Sequence, residues 1–292
     1  FKKIKFIKIR TMKKLFLMAV VAFISMFAVN AQDLITVAEL AKIQKDANVV
    51  IVSAGTEAEY SKSHITGSVH VAYTAFDKTD KIKGLIVSPA EMAKILGSKG
   101  VSEKNKIVVY DEFDGRYAGR VYSLLKYLGA KDVVILNGNM DAWKKARKPI
   151  TKNVTNVKKT TFTPAVNNGF MATMAQADAA AGKSNVVLID TRAADEFKGI
   201  KDSKGHLPGA INIEYKQLLN ADGTIKSKAD LQKVYSSEGV SKDKEVILYC
   251  STGVRTGLHY LALVDILGYT KVKVYDGGYN EYVEKNPSKV KK

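Results

Sequence analysis

A single cysteine, Cys250, stands in 292 residues. That excludes an internal disulfide, so no covalent staple holds the fold. There are only four histidines, and no spacing of His, Cys and carboxylates suits a metal centre. No cofactor is expected. Long apolar runs are missing too: the longest, LFLMAVVAFISMFAV from Leu15 to Val29, is fifteen residues, against the roughly 20 that a spanning helix needs. Lys and Arg number 46 against 29 acids, yet no basic stripe is interleaved with aromatics, so no nucleic-acid partner is expected.

What is present is globular composition, 46% apolar and 26% charged, at a length that suits two domains. The basic start Met12-Lys13-Lys14, the short apolar run and the small-x-small ending Val29-Asn30-Ala31 have the form of a signal peptide cut after Ala31. The expectation is an exported protein, periplasmic or secreted, with no stable membrane anchor after cleavage. Without a cysteine beside the cut, a lipid anchor is disfavoured. The eleven residues before Met12 carry Lys and Arg without acid and look like an upstream extension. Removal of residues 1–31 leaves 39 basic against 29 acidic residues, a net +10, which suits a solvated surface and an anionic small substrate.

The rest of the chain is one pattern written twice. NVVIVSAGTEAEY (48–60) matches NVVLIDTRAADEF (185–197), and HITGSVHVAY (64–73) matches HLPGAINIEY (206–215). SEKNKIVVYDEFDGRYAG (102–119) matches SKDKEVILYCSTGVRTGL (241–258), and DVVILNGNMDAW (132–143) matches KVKVYDGGYNEY (271–282). In the second copy Val186–Ile189, Ile211–Ile213, Glu245–Tyr249 and Val272–Tyr275 read as strands. Lys228–Ser236 and Val254–Leu267 read as helices, the latter with Tyr260, Leu263, Val264 and Leu267 on one face. Val121, Leu124, Leu125 and Leu128 form the matching stripe of the first copy. Strands that alternate with helices predict α/β domains with parallel sheets covered on both faces. The domains expected are 32–150 and 169–292. The polar stretch KKARKPITKNVTNVKKTTFTP lies between the copies, with 151–168 as an exposed linker.

Cys250 ends the strand EVILY and begins the loop CSTGVR, which leads into a helix. The sulfur therefore belongs at the carboxyl edge of a sheet, where ligands of open α/β sheets bind. Free N–H groups from Ser251 through Thr252, Gly253 and Val254 to Arg255 make an anion-binding hollow there. That field favours the thiolate. Gly253 permits the tight turn and Arg255 adds a forked cation suited to an oxyanion. A core cysteine needs none of this, so Cys250 is expected to be a nucleophile. In the first copy its place is taken by Asp111, in the loop DEFDGR. Three carboxylates there are expected to repel an anion, which makes that domain catalytically silent although Arg116 matches Arg255.

These motifs, IDTRAADEF, GHLPGAINI, CSTGVR and VYDGGYNEY, in this order and duplicated, resemble the tandem-domain rhodaneses, the thiosulfate and 3-mercaptopyruvate sulfurtransferases. The likeness covers nearly all of the chain after residue 31. It implies two rhodanese-like domains, each a five-stranded parallel sheet with helices on both faces, and a site between them. It implies sulfur transfer through a Cys250 persulfide, from a small anionic donor to a thiol or cyanide. Arg192, in IDTR, matches the family's substrate-contacting arginine, with a salt bridge to Asp195 or Glu196 as the structural alternative. Ser251 and Thr252 match neither the basic residues of thiosulfate enzymes nor the Gly-Ser of mercaptopyruvate enzymes, which leaves the donor open. His206 and its duplicate His64 are expected to be packing residues, Tyr282 and its counterpart Trp143 core; His70 and His259 have no evident partner. Two rivals stand: a non-catalytic sulfur carrier or binding module, and a cysteine phosphatase. Phosphatase loops hold one more residue between Cys and Arg.

Overall fold

Short β-branched runs and helical stretches alternate along the chain, and most become the elements that their periods dictate. The computed structural model describes residues 33–200 and 203–292. The expected signal peptide over residues 1–31 lies outside the described residues. Among the described residues no helix is long and apolar enough to cross a membrane.

The first copy runs β1 (Leu34–Ile35), α1 (Val37–Ile43), β2 (Val49–Ser53), α2 (Glu57–Lys62), β3 (His64–Ile65), β4 (Val69–His70), α3 (Pro89–Ser98), β5 (Lys106–Tyr110), α4 (Arg116–Tyr127), β6 (Val133–Leu136), α5 (Asn139–Lys145) and β7 (Ile150–Thr151). Its five-stranded sheet, ordered β1-β6-β5-β2-β4, is parallel throughout. The second copy runs α6 (Met174–Asp178), β8 (Val186–Asp190), α7 (Ala194–Phe197), β9 (Ala210–Asn212), a 3-10 turn (Tyr215–Leu218), α8 (Lys228–Ser236), β10 (Glu245–Tyr249), α9 (Thr256–Tyr260), a π-helical turn (Leu261–Ile266), β11 (Val272–Val274) and α10 (Gly278–Lys285).

The second sheet, β11-β10-β8-β9, is parallel with four strands. Where the first sheet has β1, the second has only a parallel bridge from Met171 to Val274. The fifth strand that the resemblance implies is thus cut to a single residue pair. Directly after Ala172 the Thr173 side chain accepts the Gln176 N–H and starts α6. Thr36 and Ser88 close the same capping box at α1 and α3.

The helix expected over Val254–Leu267 forms as α9 and the π-helical turn, in which the Leu267 N–H reaches back to the Ala262 carbonyl at 2.9 Å. Tyr260, Leu263 and Leu267 are buried, and Val264 is half-buried. One apolar core runs through both domains, and a smaller one lies on the outer face of each. Trp143 and Tyr282 are each buried in one of the two outer cores. The His64 ring stacks on Tyr60 at 3.8 Å, and His206 stacks on Phe197 at 3.8 Å. Each bonds its neighbour's carbonyl through Nδ1, which is a repeated packing device. His259 bonds the Tyr235 hydroxyl, and His70 pairs with Glu57.

The segment 151–168 is less free than its polarity suggests. Thr160 and Ala165 donate N–H groups to the Gly97 and Leu128 carbonyls at 2.9 and 2.8 Å, and Phe162 is buried. It is therefore laid along the first domain. The domains meet where α4 and α9 cross backbone to backbone. A Cβ on Gly257 would lie 2.0 Å from the Gly119 carbonyl oxygen. Only glycine permits that approach. It brings the loop after β5 and the loop after β10 to one cavity.

Candidate active site

β10 delivers Cys250 to the carboxyl edge of the second sheet, at the start of the expected loop. Its sulfur accepts the Arg255 N–H at 3.4 Å, and its carbonyl accepts the Tyr279 N–H at 2.8 Å. Gly253 has φ +74°, the left-handed turn that folds the loop back on itself. Its carbonyl accepts the Thr256 hydroxyl at 2.7 Å. The thiol is fully covered, at 0% exposure.

The first-copy loop displays what such a hollow binds. Asp111 is buried, and its Oδ1 accepts the N–H groups of Phe113 (2.8 Å) and Gly115 (3.1 Å). Its Oδ2 accepts those of Tyr117 (2.9 Å) and Ala118 (3.0 Å). Four amides thus converge on one built-in carboxylate. This corrects the expected cause of silence: the loop does not repel an anion with three carboxylates but is already filled by one. Glu112 turns away to accept the Ser53 hydroxyl at 2.8 Å, and burial pushes its carboxyl up to about 7. Asp114 pairs with Arg116 and accepts the Tyr215 hydroxyl of the second domain at 2.6 Å.

Arg255 is held more firmly than the sequence implies. Its guanidinium forks onto Glu196 at 2.5 and 3.0 Å and also donates to the Ser251 hydroxyl at 2.9 Å. Burial lowers its proton affinity, but Glu196 and the Cys250 sulfur more than reverse that, so its pKa is raised overall. Burial likewise raises the Glu196 carboxyl, and the bond to Arg255 outweighs it, leaving the pKa lowered. The pair is charged.

Arg192 requires correction. Its side chain is 1% exposed, and Nε and Nη2 bind the Asp190 carboxylate at 2.6–3.0 Å. Nη2 and Nη1 also donate to the Gly205 carbonyl and the Ser203 hydroxyl, with the cation 3.9 Å from the Tyr279 ring centre. The guanidinium is consumed inside the second domain and is not brought to the loop. Its partner is neither Asp195 nor Glu196. Asp190 and Arg192, two apart at a strand end, point to the same side, a signal the sequence did carry.

The first domain does reach the site. Arg120 of α4, 1% exposed, donates to Asp276 at 2.8 Å, to the Gly253 carbonyl at 3.4 Å and to the Gly84 carbonyl at 3.1 Å. Gly84 itself packs on Thr252, 2.5 Å from that side chain were it to carry a Cβ. Beside the loop lies a cavity of about 300 Å³ whose lining includes Thr252, Val254 and Arg255, Glu214, Tyr215 and Lys216, and Arg116 and Tyr117 of the first domain. Ser251 faces Glu196 instead. Glu196, Arg120 and Tyr215 were not expected at the site, because their partners lie 59 to 156 positions away.

A family model described as the Rhodanese-like domain matches residues 36–146 and 173–285. A protein of Mycolicibacterium smegmatis, inferred to be a thiosulfate sulfurtransferase, is 31% identical over 235 residues, which cover 76% of this chain and 84% of that one. The crystal structure of SseA from Escherichia coli, titled for the rhodanese fold and catalytic mechanism of 3-mercaptopyruvate sulfotransferases, matches with a TM-score of 0.79. It is 26% identical, and the match covers 85% of this chain and 99% of that one. An anaerobic ergothioneine biosynthesis enzyme from Chlorobium limicola shares the fold at a TM-score of 0.80 and 20% identity, over 89% of this chain and 70% of its own.

Proposed function

The chain belongs to the rhodanese family and is a sulfurtransferase, and from that premise we propose that it moves sulfane sulfur from thiosulfate or a related anion through a persulfide on Cys250. The observation that carries this is the paired loops. One holds the Asp111 carboxylate on four amides, and the other holds the Cys250 sulfur at the matching position, on the Arg255 amide. Amides converging on that position would stabilise the outer sulfur anion of a persulfide on Cys250.

In the first half-reaction the Cys250 thiolate attacks the outer sulfur of thiosulfate. The S–S bond of the donor breaks, its electron pair leaves with sulfite, and Cys250–S–S⁻ remains. In the second, cyanide or a thiolate attacks that outer sulfur, and the electron pair returns to Cys250. Charge balances in both steps. Because the resting sulfur is covered, loading requires the side chains around the loop to yield. A small cavity favours a small donor over a protein.

Steady-state turnover of thiosulfate and cyanide should give parallel double-reciprocal lines, the mark of a covalent intermediate. Intersecting lines would replace the persulfide with a ternary complex. The form of residues 12–31 supports export to the periplasm or beyond, which N-terminal sequencing of the mature protein tests. A mature chain that retains those residues would reject it.

A further inference from the structure

We infer that Arg116, on the silent domain, binds the anionic leaving group of the sulfur donor; this rests on the sulfurtransferase reading above. Arg116 holds in its own loop the place that Arg255 holds in the catalytic loop, yet both line the same cavity. Their electrostatic situations differ. Arg255 is locked in a two-pronged pair with Glu196, which spends most of its fork. Arg116 has its carboxylate partner, Asp114, at 3.7 Å, and that carboxylate is also bonded by the Tyr215 hydroxyl.

Arg116 is nevertheless fixed in place. Its guanidinium lies 4.9 Å from the Tyr117 ring centre and donates to the Tyr215 hydroxyl at 3.3 Å. Tyr117 in turn stacks on Tyr73 at 3.9 Å. An aromatic face and a phenol orient the cation without saturating it, and 32% of the side chain remains exposed. The duplication has therefore kept a cation where it lost a nucleophile, and has turned that cation toward its sister's cavity.

The chemistry gives this cation a task in one half-reaction only. As the donor S–S bond breaks, negative charge grows on the oxygens of departing sulfite. A planar guanidinium at the cavity wall stabilises that charge with paired N–H bonds. In the second half-reaction the leaving group is the Cys250 thiolate, whose sulfur accepts the Arg255 N–H; the cyanide and thiocyanate anions of that half carry no paired oxygens for the Arg116 fork to grip.

Rapid-quench intact-mass measurement separates the two halves, with thiosulfate as donor and cyanide as acceptor. For Arg116→Gln the second-order rate of sulfur loading should fall about ten- to a hundred-fold, the worth of a charge-assisted bond. Arg116→Lys should recover part of that loss. Discharge of preloaded Arg116→Gln to cyanide should stay within about two-fold of the parent rate. Unchanged loading would overturn the inference, as would loading and discharge falling together, or Arg116→Lys being no better than Arg116→Gln. A parent protein that gains no sulfur would instead defeat the underlying reading.

Discussion

Removing Arg120 should cut the tie between the silent domain and the catalytic loop. The side chain is 1% exposed and bonds Asp276, the Gly253 carbonyl and the Gly84 carbonyl, with Asp77 a further 3.7 Å away. Arg120→Met keeps much of the volume but leaves Asp276 and Asp77 facing each other without a cation. Loss of one partner from a buried pair costs about 3–5 kcal/mol. At about 2–4 °C per kcal/mol for a chain of this size, the thermal midpoint should fall by about 6–20 °C. The apolar core is continuous between domains, so one transition is expected rather than two. Sulfur loading should slow as well, because the Gly253 carbonyl loses a donor in the turn that shapes the hollow. The assay is calorimetry with parallel loading kinetics, and Asp276→Asn alone and combined completes a double-mutant cycle. A midpoint within about 2 °C of the parent, or a cycle with no coupling, would refute the claim that this cross-domain bond holds the loop.

Asp111→Ala leaves four inward N–H groups without their acceptor and should cost about 2–4 kcal/mol. Added sulfate should restore part of that midpoint loss by occupying the emptied hollow, and a sulfate response no greater than the parent's would contradict the anion-hole account. Glu112 titrates near 7 in the folded state, raised by burial. A raised folded value means full stability below the unfolded value of about 4.5, and a penalty that grows as pH rises toward 7. The parent should therefore lose about 2–3 kcal/mol between pH 5 and pH 8 relative to Glu112→Gln; parallel pH profiles would show the carboxyl to be better solvated than its burial implies.

Much of this fold was legible because it is local. EVILY, VVLI and VVIV are β-branched or aromatic runs that form the central strands, and the duplication fixes their order twice. Cys250 at the end of β10 and the turn at Gly253 were likewise legible, since a strand, a glycine and a helix start lie within ten residues. The electrostatics of the site were not. Glu196 reaches Arg255 from the first turn of α7, and Arg120 reaches Asp276 across the domain boundary. The first pair depends on β8 and β10 lying side by side in one sheet and the second on how the two domains dock, and no spacing along the chain encodes either. Arg192 misled because its motif was matched by position, while the carboxylate two residues before it, Asp190, already claimed its charge.

The role of Cys250 is most directly tested by intact-mass analysis of the protein after thiosulfate treatment and removal of free donor. The parent should carry the mass of one additional sulfur, which cyanide removes, and Cys250→Ser should carry none. A Cys250→Ser protein that still takes up and releases sulfur would contradict the account.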